Sequence, residues 1–561
     1  MRWSLAFVAF GASIAATAPT SSGPSVTTTY GTWNGGSSSG VEYFKGIPFA
    51  QPPTGNLRFA PPVADSTSHG AFDATQFGYA CPQMSLAAGV LPGMLNDLGV
   101  SVTNLINELP VFSSVLGSNA SEDCLSLNVF RPAGMTSSSK LPVFVWIFGG
   151  GFLFGASSTY DPTSLILRSV SVNQPIIYVS INYRLNSFGF LPGAEVAADP
   201  TASVNAGLMD QRLALEWIQQ NIAAFGGDAT KVTLSGESAG AISSSLQVLA
   251  YGGDITSDST GNSLFRAVIC ESGSPIPVGP ASYGQSSFDA IAEATRCDTA
   301  ANKIACLRAI PYAQLLAATN TLGNLGSYRS VSLPFLPRTD GDFIPDLPQN
   351  LERAGKYAHV PIISGDQYDE GTILALGTLN ITTAQQVSDY FATIFFPRAP
   401  ESDIAALLGY YPQDPTQGSP FDTGLLNVIT PQNKRINAII GDLVFQAPRR
   451  AFVGYTNATQ PTWSYASRAL RATPFLGTFH ASDLLAVYGL DPAPPSAEMQ
   501  SRWIAFANNL DPNVAGYPYW PQYGNNATLL QFTDSTSSVI PDTYRAAGIA
   551  YIWSVADNFT L

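Results

Sequence analysis

The sequence predicts an α/β protein with a large, mostly parallel central sheet covered by helices, and two observations support this. Short runs of β-branched and aromatic residues recur at 141–148, 176–182, 232–235 and 361–364. Residues 207–222 instead repeat apolar side chains at helical spacing. Strands that alternate with helices form parallel sheets whose two faces are both covered. No shift in composition divides the chain, so we expect one domain over residues 19–561.

The first residues have the pattern of a secretion signal. Arg2 precedes an apolar stretch from Leu5 to Ile14, and residues 16–18 read Ala-Thr-Ala, a small-residue cleavage site. We therefore expect residues 1–18 to be a signal peptide and the protein to be secreted and extracellular. The apolar stretch is too short to span a bilayer, and no later run is long enough, so no transmembrane segment is expected.

Composition narrows the range of partners and modifications. The net charge of −14 argues against nucleic acid, which needs a basic surface, and against docking on anionic lipid. Secretion permits disulfides, and because the chain has five cysteines, at least one must stay unpaired. Sequons predict glycosylation sites at Asn119, Asn380, Asn457, Asn526 and Asn558.

A serine lies between two glycines where the 232–235 strand meets a helix-compatible segment, in Gly236-Glu237-Ser238-Ala239-Gly240. Glycines at these positions let strand and helix pass closely while the serine is lifted clear of the sheet. The helix N-terminus favours a developing anion, so Ser238 is the candidate nucleophile. Glu237 either stabilises charge beside the serine or pairs with a structural partner.

A serine nucleophile needs a base and an acid that orients the base. The chain has three histidines, and in this architecture the base follows the serine, which leaves His359 and His480. His480 is favoured because it lies in a predicted loop. The acid is expected in the loop after the 361–364 strand, and the residues alone do not choose among Asp366, Asp369 and Glu370.

The reaction also needs backbone N–H donors for the oxyanion. One is expected from Ala239, the residue after the nucleophile. The others are expected from the three glycines at 149–151, which directly follow the 141–148 strand and allow close approach of the backbone to a substrate.

Long motifs resemble the type-B carboxylesterase/lipase family, which includes the cholinesterases. FGGDATKVTLSGESAG (225–240) and EDCLSLNVF (122–130) look like its two signatures, and WIFGGGF, GDQYDEGT and GTFHASDL resemble fungal Candida rugosa-type lipases and sterol esterases. The resemblance implies an α/β-hydrolase fold. Two positions depart from the family pattern: Ser126 replaces a larger residue of the second signature, and Phe148 replaces a histidine before the glycines.

The resemblance also assigns individual residues. It makes Ser238 the nucleophile, Glu370 the acid and His480 the base. It places the oxyanion donors at Gly150, Gly151 and Ala239. It pairs Cys81 with Cys124 and Cys297 with Cys306, and it leaves Cys270 as a buried free thiol. It implies neither a metal nor a cofactor.

In the fungal lipases, the segment that matches residues 81–124 is a lid over the active site. Here its apolar residues between Leu91 and Leu109 recur at roughly helical spacing, and the segment contains no Lys or Arg. A lid of this kind meets lipid aggregates when it opens, and its apolar face favours a homodimer. The segment also lacks tryptophan, which removes a cation–π partner for choline esters.

We therefore expect an ester hydrolase that acts on long-chain acylglycerols or sterol esters. The alternative is a general carboxylesterase acting on short-chain or aromatic, feruloyl-type esters. A non-enzymatic adhesion protein is disfavoured because the serine, glutamate and histidine are all present.

Overall fold

A computed structural model describes residues 23–85, 107, 109–110, 119–490, 495–524 and 526–561. The expected signal peptide at 1–18 and most of the expected lid at 81–124 lie outside the described residues, so both stay predictions.

An eleven-stranded sheet runs through the described part of the chain in the order β14-β13-β12-β11-β10-β9-β7-β8-β6-β4-β3. A smaller sheet joins β1, β2 and β5. The strands are β1 Ser25–Thr28, β2 Gly31–Asn34, β3 Gly36–Ser38, β4 Val41–Pro48, β5 Ala71–Asp73, β6 Ser126–Pro132, β7 Leu141–Ile147, β8 Ile177–Ile181, β9 Gly227–Glu237, β10 Ala267–Glu271, β11 Ile362–Gln367, β12 Thr462–Ser467, β13 Thr528–Phe532 and β14 Ser538–Pro541.

The central strands from β8 to β13 are all parallel, and antiparallel pairs occur toward the two edges. Strands β7, β8, β10, β11 and β12 are buried along their whole length. Burial on both faces explains why β7 reads as a continuous apolar run rather than an alternating pattern. The predicted α/β class and α/β-hydrolase fold are confirmed.

Helices cover the two faces of this sheet. They are α1 Thr163–Ser171, α2 Asn186–Phe190, α3 Ala194–Ala198, α4 Ala206–Asn221, α5 Ala239–Leu249, α6 Gln285–Ala294, α7 Lys303–Ala309, α8 Tyr312–Thr319, α9 Pro348–Arg353, α10 Gly371–Leu374, α11 Ala384–Tyr390, α12 Glu401–Tyr410, α13 Asn433–Gly441, α14 Ala447–Thr456, α15 Leu484–Val487, α16 Ser496–Asn509 and α17 Ala546–Ser554. Within the described ranges, no helix has the length and apolar character needed to cross a membrane.

The predicted elements correspond to real ones, with one error in extent. Helix α4 and strands β7, β8 and β11 lie within a few residues of their predicted bounds. Strand β9 starts at Gly227 rather than at residue 232. Its first residues include Asp228 and Lys231, which form an ion pair at 3.1 Å and conceal the strand pattern.

Two disulfides join Cys81 to Cys124 and Cys297 to Cys306, and Cys270 is a buried free thiol in β10. Of the five sequon asparagines, Asn457 is half-buried and its carboxamide oxygen accepts the N–H of Gly524 at 2.9 Å. The other four are exposed, and all five stay predicted glycosylation sites: Asn119, Asn380, Asn457, Asn526 and Asn558.

A buried arginine connects helix α14 to the central sheet. The guanidinium of Arg449 lies 2.9 Å from Asp366, at the end of β11, and 2.9 Å from Asp542, just after β14. It also donates to the hydroxyls of Ser464 and Tyr544. Both carboxylates are buried, so without this cation Asp366 would have no ion-pair partner among the described residues, and Asp542 would keep only Arg450, at 2.6 Å.

We expect Arg449→Leu to destabilise the fold by about 3–5 kcal/mol, because it leaves the buried Asp366 without a cation and removes one of the two cations that pair with Asp542. Thermal unfolding followed by circular dichroism measures the effect. Arg353→Leu is the matched control, since the Arg353–Asp557 pair is largely exposed and such pairs contribute about 0–1 kcal/mol. Equal shifts in the two variants would contradict the assigned importance of the buried network.

Candidate active site

The candidate catalytic side chains follow the carboxyl ends of neighbouring parallel strands. Ser238 directly follows β9, Glu370 lies three residues after β11, and His480 lies in the loop between β12 and α15. Because β9, β10, β11 and β12 are adjacent and parallel, these loops meet at one edge of the sheet.

Ser238 occupies a strained turn between β9 and α5. Its backbone has φ 56° and ψ −126°, a conformation that costs an L-residue about 1–3 kcal/mol. A Cβ at Gly236 would lie 2.5 Å from Gly240, and a Cβ at Gly240 would lie 2.0 Å from the carbonyl oxygen of Ile147. The two glycines are therefore required by the close crossing of β9, α5 and β7.

A line of hydrogen bonds connects the three candidate residues. His480 Nε2 lies 2.8 Å from Ser238 Oγ, and His480 Nδ1 lies 2.5 Å from Glu370 Oε2. The other carboxyl oxygen of Glu370 accepts the backbone N–H of Gln367 at 2.6 Å. The imidazole is thus held on one side by an oriented carboxylate and faces the serine hydroxyl on the other.

The structure separates the three candidate acids by what their carboxylates contact. Asp366 pairs with Arg449. Asp369 accepts the hydroxyl of Ser419 and the backbone N–H groups of Phe421 and Thr478, so it holds loops together. Only Glu370 among them reaches the histidine.

The two other histidines lie in different surroundings. His359 is exposed and its ring lies beside Tyr357. His69 pairs with Asp65 at 2.6 Å near the first strands. The choice of His480 from its loop position agrees with this arrangement.

The glycine loop after β7 lines the same cavity as the serine. Gly150 and Gly151 have φ values of 111° and 63°, in the region that favours glycine, and a Cβ at Gly150 would lie 2.2 Å from the carbonyl oxygen of Phe154. Ala239, the first residue of α5, lies on the cavity wall with them. Phe148 stacks on Tyr183 at 4.5 Å, so it fills the core where it departs from the family pattern.

An apolar cavity opens over Ser238 and His480. Apart from these two side chains and Glu237, its walls are glycine, alanine and large apolar residues: Phe152, Phe154, Ile242, Ile276, Leu325, Val331, Leu333, Leu336, Ile373, Leu374, Val444, Phe445 and Leu561. Across the described residues, no cluster of His, Cys, Asp or Glu side chains has the arrangement of a metal site.

Several buried acidic side chains lie near the candidate histidine. Glu237 Oε1 lies 3.4 Å from His480 Nε2, and neither carboxyl oxygen of Glu237 has a hydrogen-bond partner among the described residues. Burial raises the pKa of Glu237 well above its ordinary value, and the charges of Asp483, Glu370 and Glu271 raise it further. The sequence leaves two roles for Glu237: stabilising charge beside the serine, or pairing with a structural partner. Among the described residues, no lysine or arginine forms an ion pair with it, which favours the first role.

The sequence reasoning missed a helical irregularity that shapes the cavity. Helices α13 and α14 are continuous through a π-helical turn at Asp442–Gln446. Such a turn brings an extra residue onto one face, and here Val444 and Phe445 line the cavity, with the Phe445 ring 4.6 Å from that of His480. No pattern of residue types marks this turn.

Comparison with known proteins identifies related chains. The family model described as "Carboxylesterase family" matches residues 22–550. "Secreted lipase 1" of Botryotinia fuckeliana is 46% identical over 94% of this chain and 91% of its own. A secreted triacylglycerol lipase of Gibberella zeae is 43% identical over 93% and 88%. The crystal structure of EstA from Aspergillus niger superposes with a TM-score of 0.79 at 26% identity, covering 96% of this chain and 99% of that one.

Burial of His480 predicts an acid-tolerant pH profile. Burial lowers the pKa of His480 below the ordinary histidine value, and this exceeds the opposing effect of Asp483 and Asp366. A general base must be neutral, so activity is present above the folded-state pKa and is lost as the pH falls through it. We expect the acid limb of kcat/KM for a soluble ester to lie below about pH 6.5. An inflection at or above that value would contradict the assignment.

We expect Glu237→Gln to keep kcat/KM within about threefold of the parent, because burial favours the neutral form of Glu237 and glutamine keeps its shape. Steady-state hydrolysis of a soluble ester at pH 7 measures this. Glu237→Ala, which leaves a cavity beside His480, is the comparison variant. A hundredfold loss with Gln would mean that the carboxylate works in its ionised form.

Proposed function

The chain belongs to the carboxylesterase family, and from that premise we propose that it is a secreted lipase that cleaves long-chain esters through Ser238, His480 and Glu370. The observation that supports this best is the hydrogen-bonded line of these three residues at the base of an apolar cavity. The printed names of the secreted relatives agree with the proposed location and class of reaction.

Acylation starts when Ser238 Oγ attacks the ester carbonyl carbon and its proton passes to His480 Nε2. The carbonyl electron pair moves onto oxygen, where the N–H groups of Gly150, Gly151 and Ala239 stabilise the negative charge. Glu370 accepts a hydrogen bond from the Nδ1–H of His480, which directs Nε2 toward the serine and stabilises the imidazolium. The intermediate collapses, the bond to the alcohol oxygen breaks, and His480 returns the proton to that alcohol.

Deacylation repeats these steps with water. His480 Nε2 takes a proton from water, the hydroxide attacks the acyl carbon, and the bond to Ser238 Oγ breaks as Oγ regains the proton. The products are a free carboxylic acid and the original enzyme. Every proton moves between substrate, water and the named side chains.

The lining of the cavity favours a long aliphatic acyl group as substrate. Its walls carry leucine, isoleucine, valine and phenylalanine, which solvate an alkyl chain by removing it from water. A second, smaller apolar cavity lies against the first, and Val444 and Leu561 belong to the walls of both. A chain that passes these two residues would continue into apolar surroundings.

A general carboxylesterase is the second candidate. Three phenylalanines, Phe152, Phe154 and Phe445, line the cavity and would pack against an aromatic acid such as a feruloyl group. This alternative keeps the same three catalytic residues and changes only the preferred acyl group.

Ser238→Ala should lower kcat by about 10⁴-fold or more, because removal of the nucleophile leaves only binding and oxyanion stabilisation. Hydrolysis of a chromogenic ester, with thermal unfolding as the check on folding, tests this. Activity within tenfold of the parent would disprove the assignment of Ser238.

Glu370→Gln and Asp369→Asn form a matched pair for the acid. We expect Glu370→Gln to lower kcat by about 10³–10⁴-fold with little change in unfolding temperature. Asp369→Asn should instead lower the unfolding temperature and keep most of the activity below it. The reverse pattern would identify Asp369 as the acid.

The ester-chain profile tests the substrate class. We expect hydrolysis rates to rise from acetate to oleate esters and to increase sharply once each substrate exceeds its solubility limit. A preference for short, soluble or feruloyl esters, without such an increase, would favour the general carboxylesterase.

A further inference from the structure

An apolar tip projects from the surface between α12 and α13. We use this name for residues 424–429, whose sequence is GLLNVI. Leu425 and Leu426 are 70% and 72% exposed, and Ile429 is also exposed. Single exposed leucines are common on protein surfaces, but three large aliphatic side chains exposed within five residues form a local apolar patch.

The tip is held in one conformation by buried polar contacts at its base. Lys434, only 1% exposed, donates to the carbonyl oxygens of Gly424 and Leu426 at 2.8 and 3.3 Å and to the hydroxyl of Thr423 at 2.8 Å. A buried lysine thus satisfies backbone carbonyls instead of a carboxylate. Its contacts fix the turn that carries both leucines.

Polar contacts hold the backbone on both sides of the leucines. Asp422 and Asn427 have positive φ values, 59° and 67°, a region that Asp and Asn enter more readily than other non-glycine residues. Asp422 is held by Arg468 at 2.8 Å, and Asn427 Oδ1 accepts the N–H of Phe475 at 2.9 Å. Together with the contacts of Lys434, they fix the turn on which the leucines are exposed.

The same contacts place the tip on the catalytic side of the molecule. Phe421, just before the tip, donates its N–H to Asp369, which is adjacent to Glu370. Asn427 is bonded to Phe475, in the loop that carries His480. The tip is thus attached to both loops that supply the acid and the base.

We propose that the apolar tip is an anchor that inserts into the surface of an uncharged or zwitterionic lipid aggregate and so brings the catalytic cavity against its substrate. The tip carries no charged residue, and its aliphatic side chains match acyl chains rather than a polar partner. The net charge of −14 opposes binding to anionic surfaces. The inference rests on the proposed function and adds to it a defined contact with the lipid.

The test separates lipid binding from chemistry. Binding to trioleoylglycerol droplets stabilised by phosphatidylcholine is measured by flotation in a Ser238→Ala background, so that the droplets are not consumed. We expect Leu425→Gln/Leu426→Gln to weaken the partition coefficient by roughly tenfold per leucine. In the active background, kcat/KM for monomeric p-nitrophenyl butyrate should not change. Leu425→Phe/Leu426→Phe should restore droplet binding.

Leu167→Gln/Val170→Gln is the matched control, because both residues are exposed aliphatics on α1 and should not affect droplet binding. Unchanged binding in the tip variant would overturn the proposal. Equal losses on droplets and on the soluble ester would also overturn it, since the tip would then support the catalytic loops alone.

Two further outcomes have separate meanings. If sedimentation shows that the tip variant converts a dimer to a monomer without altering droplet binding, the tip joins two copies of this chain and the proposal is wrong. If the parent enzyme neither binds nor hydrolyses droplets but cleaves soluble esters, the proposed lipase function itself fails. If the parent hydrolyses droplets and the tip variant binds them equally well, the anchor proposal is wrong and the proposed lipase function stands.

Discussion

The close crossing of β7, β9 and α5 is the constraint on which the site depends. Gly240 lies so near the carbonyl oxygen of Ile147 that any side chain there would collide with the backbone. This approach forces Ser238 into its strained conformation and turns its hydroxyl away from the sheet toward His480. The eleven-stranded sheet supplies the rigidity that keeps the strain in place, because β7 and β9 are paired along most of their length.

The acidic side chains around His480 are buried and therefore shielded from water. Glu237, Glu271 and Asp483 are buried beside the Glu370–His480 pair. Glu271 accepts from Trp503 Nε1 at 2.6 Å and Asp483 from the Tyr465 hydroxyl at 3.0 Å. Neutral donors of this kind satisfy single oxygens without adding a cation, which would compete with the imidazolium formed during catalysis.

Sequence patterns anticipated the parts of this arrangement that arise from local chemistry. Strand β7 is a continuous apolar run, and the glycines around Ser238 mark a turn that only small residues permit. The acid could not be chosen from local chemistry, since Asp366, Asp369 and Glu370 lie within one five-residue segment and differ mainly in their long-range partners. The π-helical turn that brings Phe445 to His480 and the polar start of β9 were missed for the same reason. Their conformations are decided by tertiary packing.

The hydrogen bonds of Asp369 affect how the enzyme loses activity on heating. Its carboxylate ties the Ser419–Phe421 segment and Thr478 to the residue beside Glu370. Contacts shared in this way make separate loops open and close as one cooperative unit, whose opening costs less free energy than global unfolding. Mild heat would then abolish the alignment of acid and base in a single step while the sheet remains intact. Amide hydrogen exchange at residue 478 would follow the same temperature dependence as inactivation.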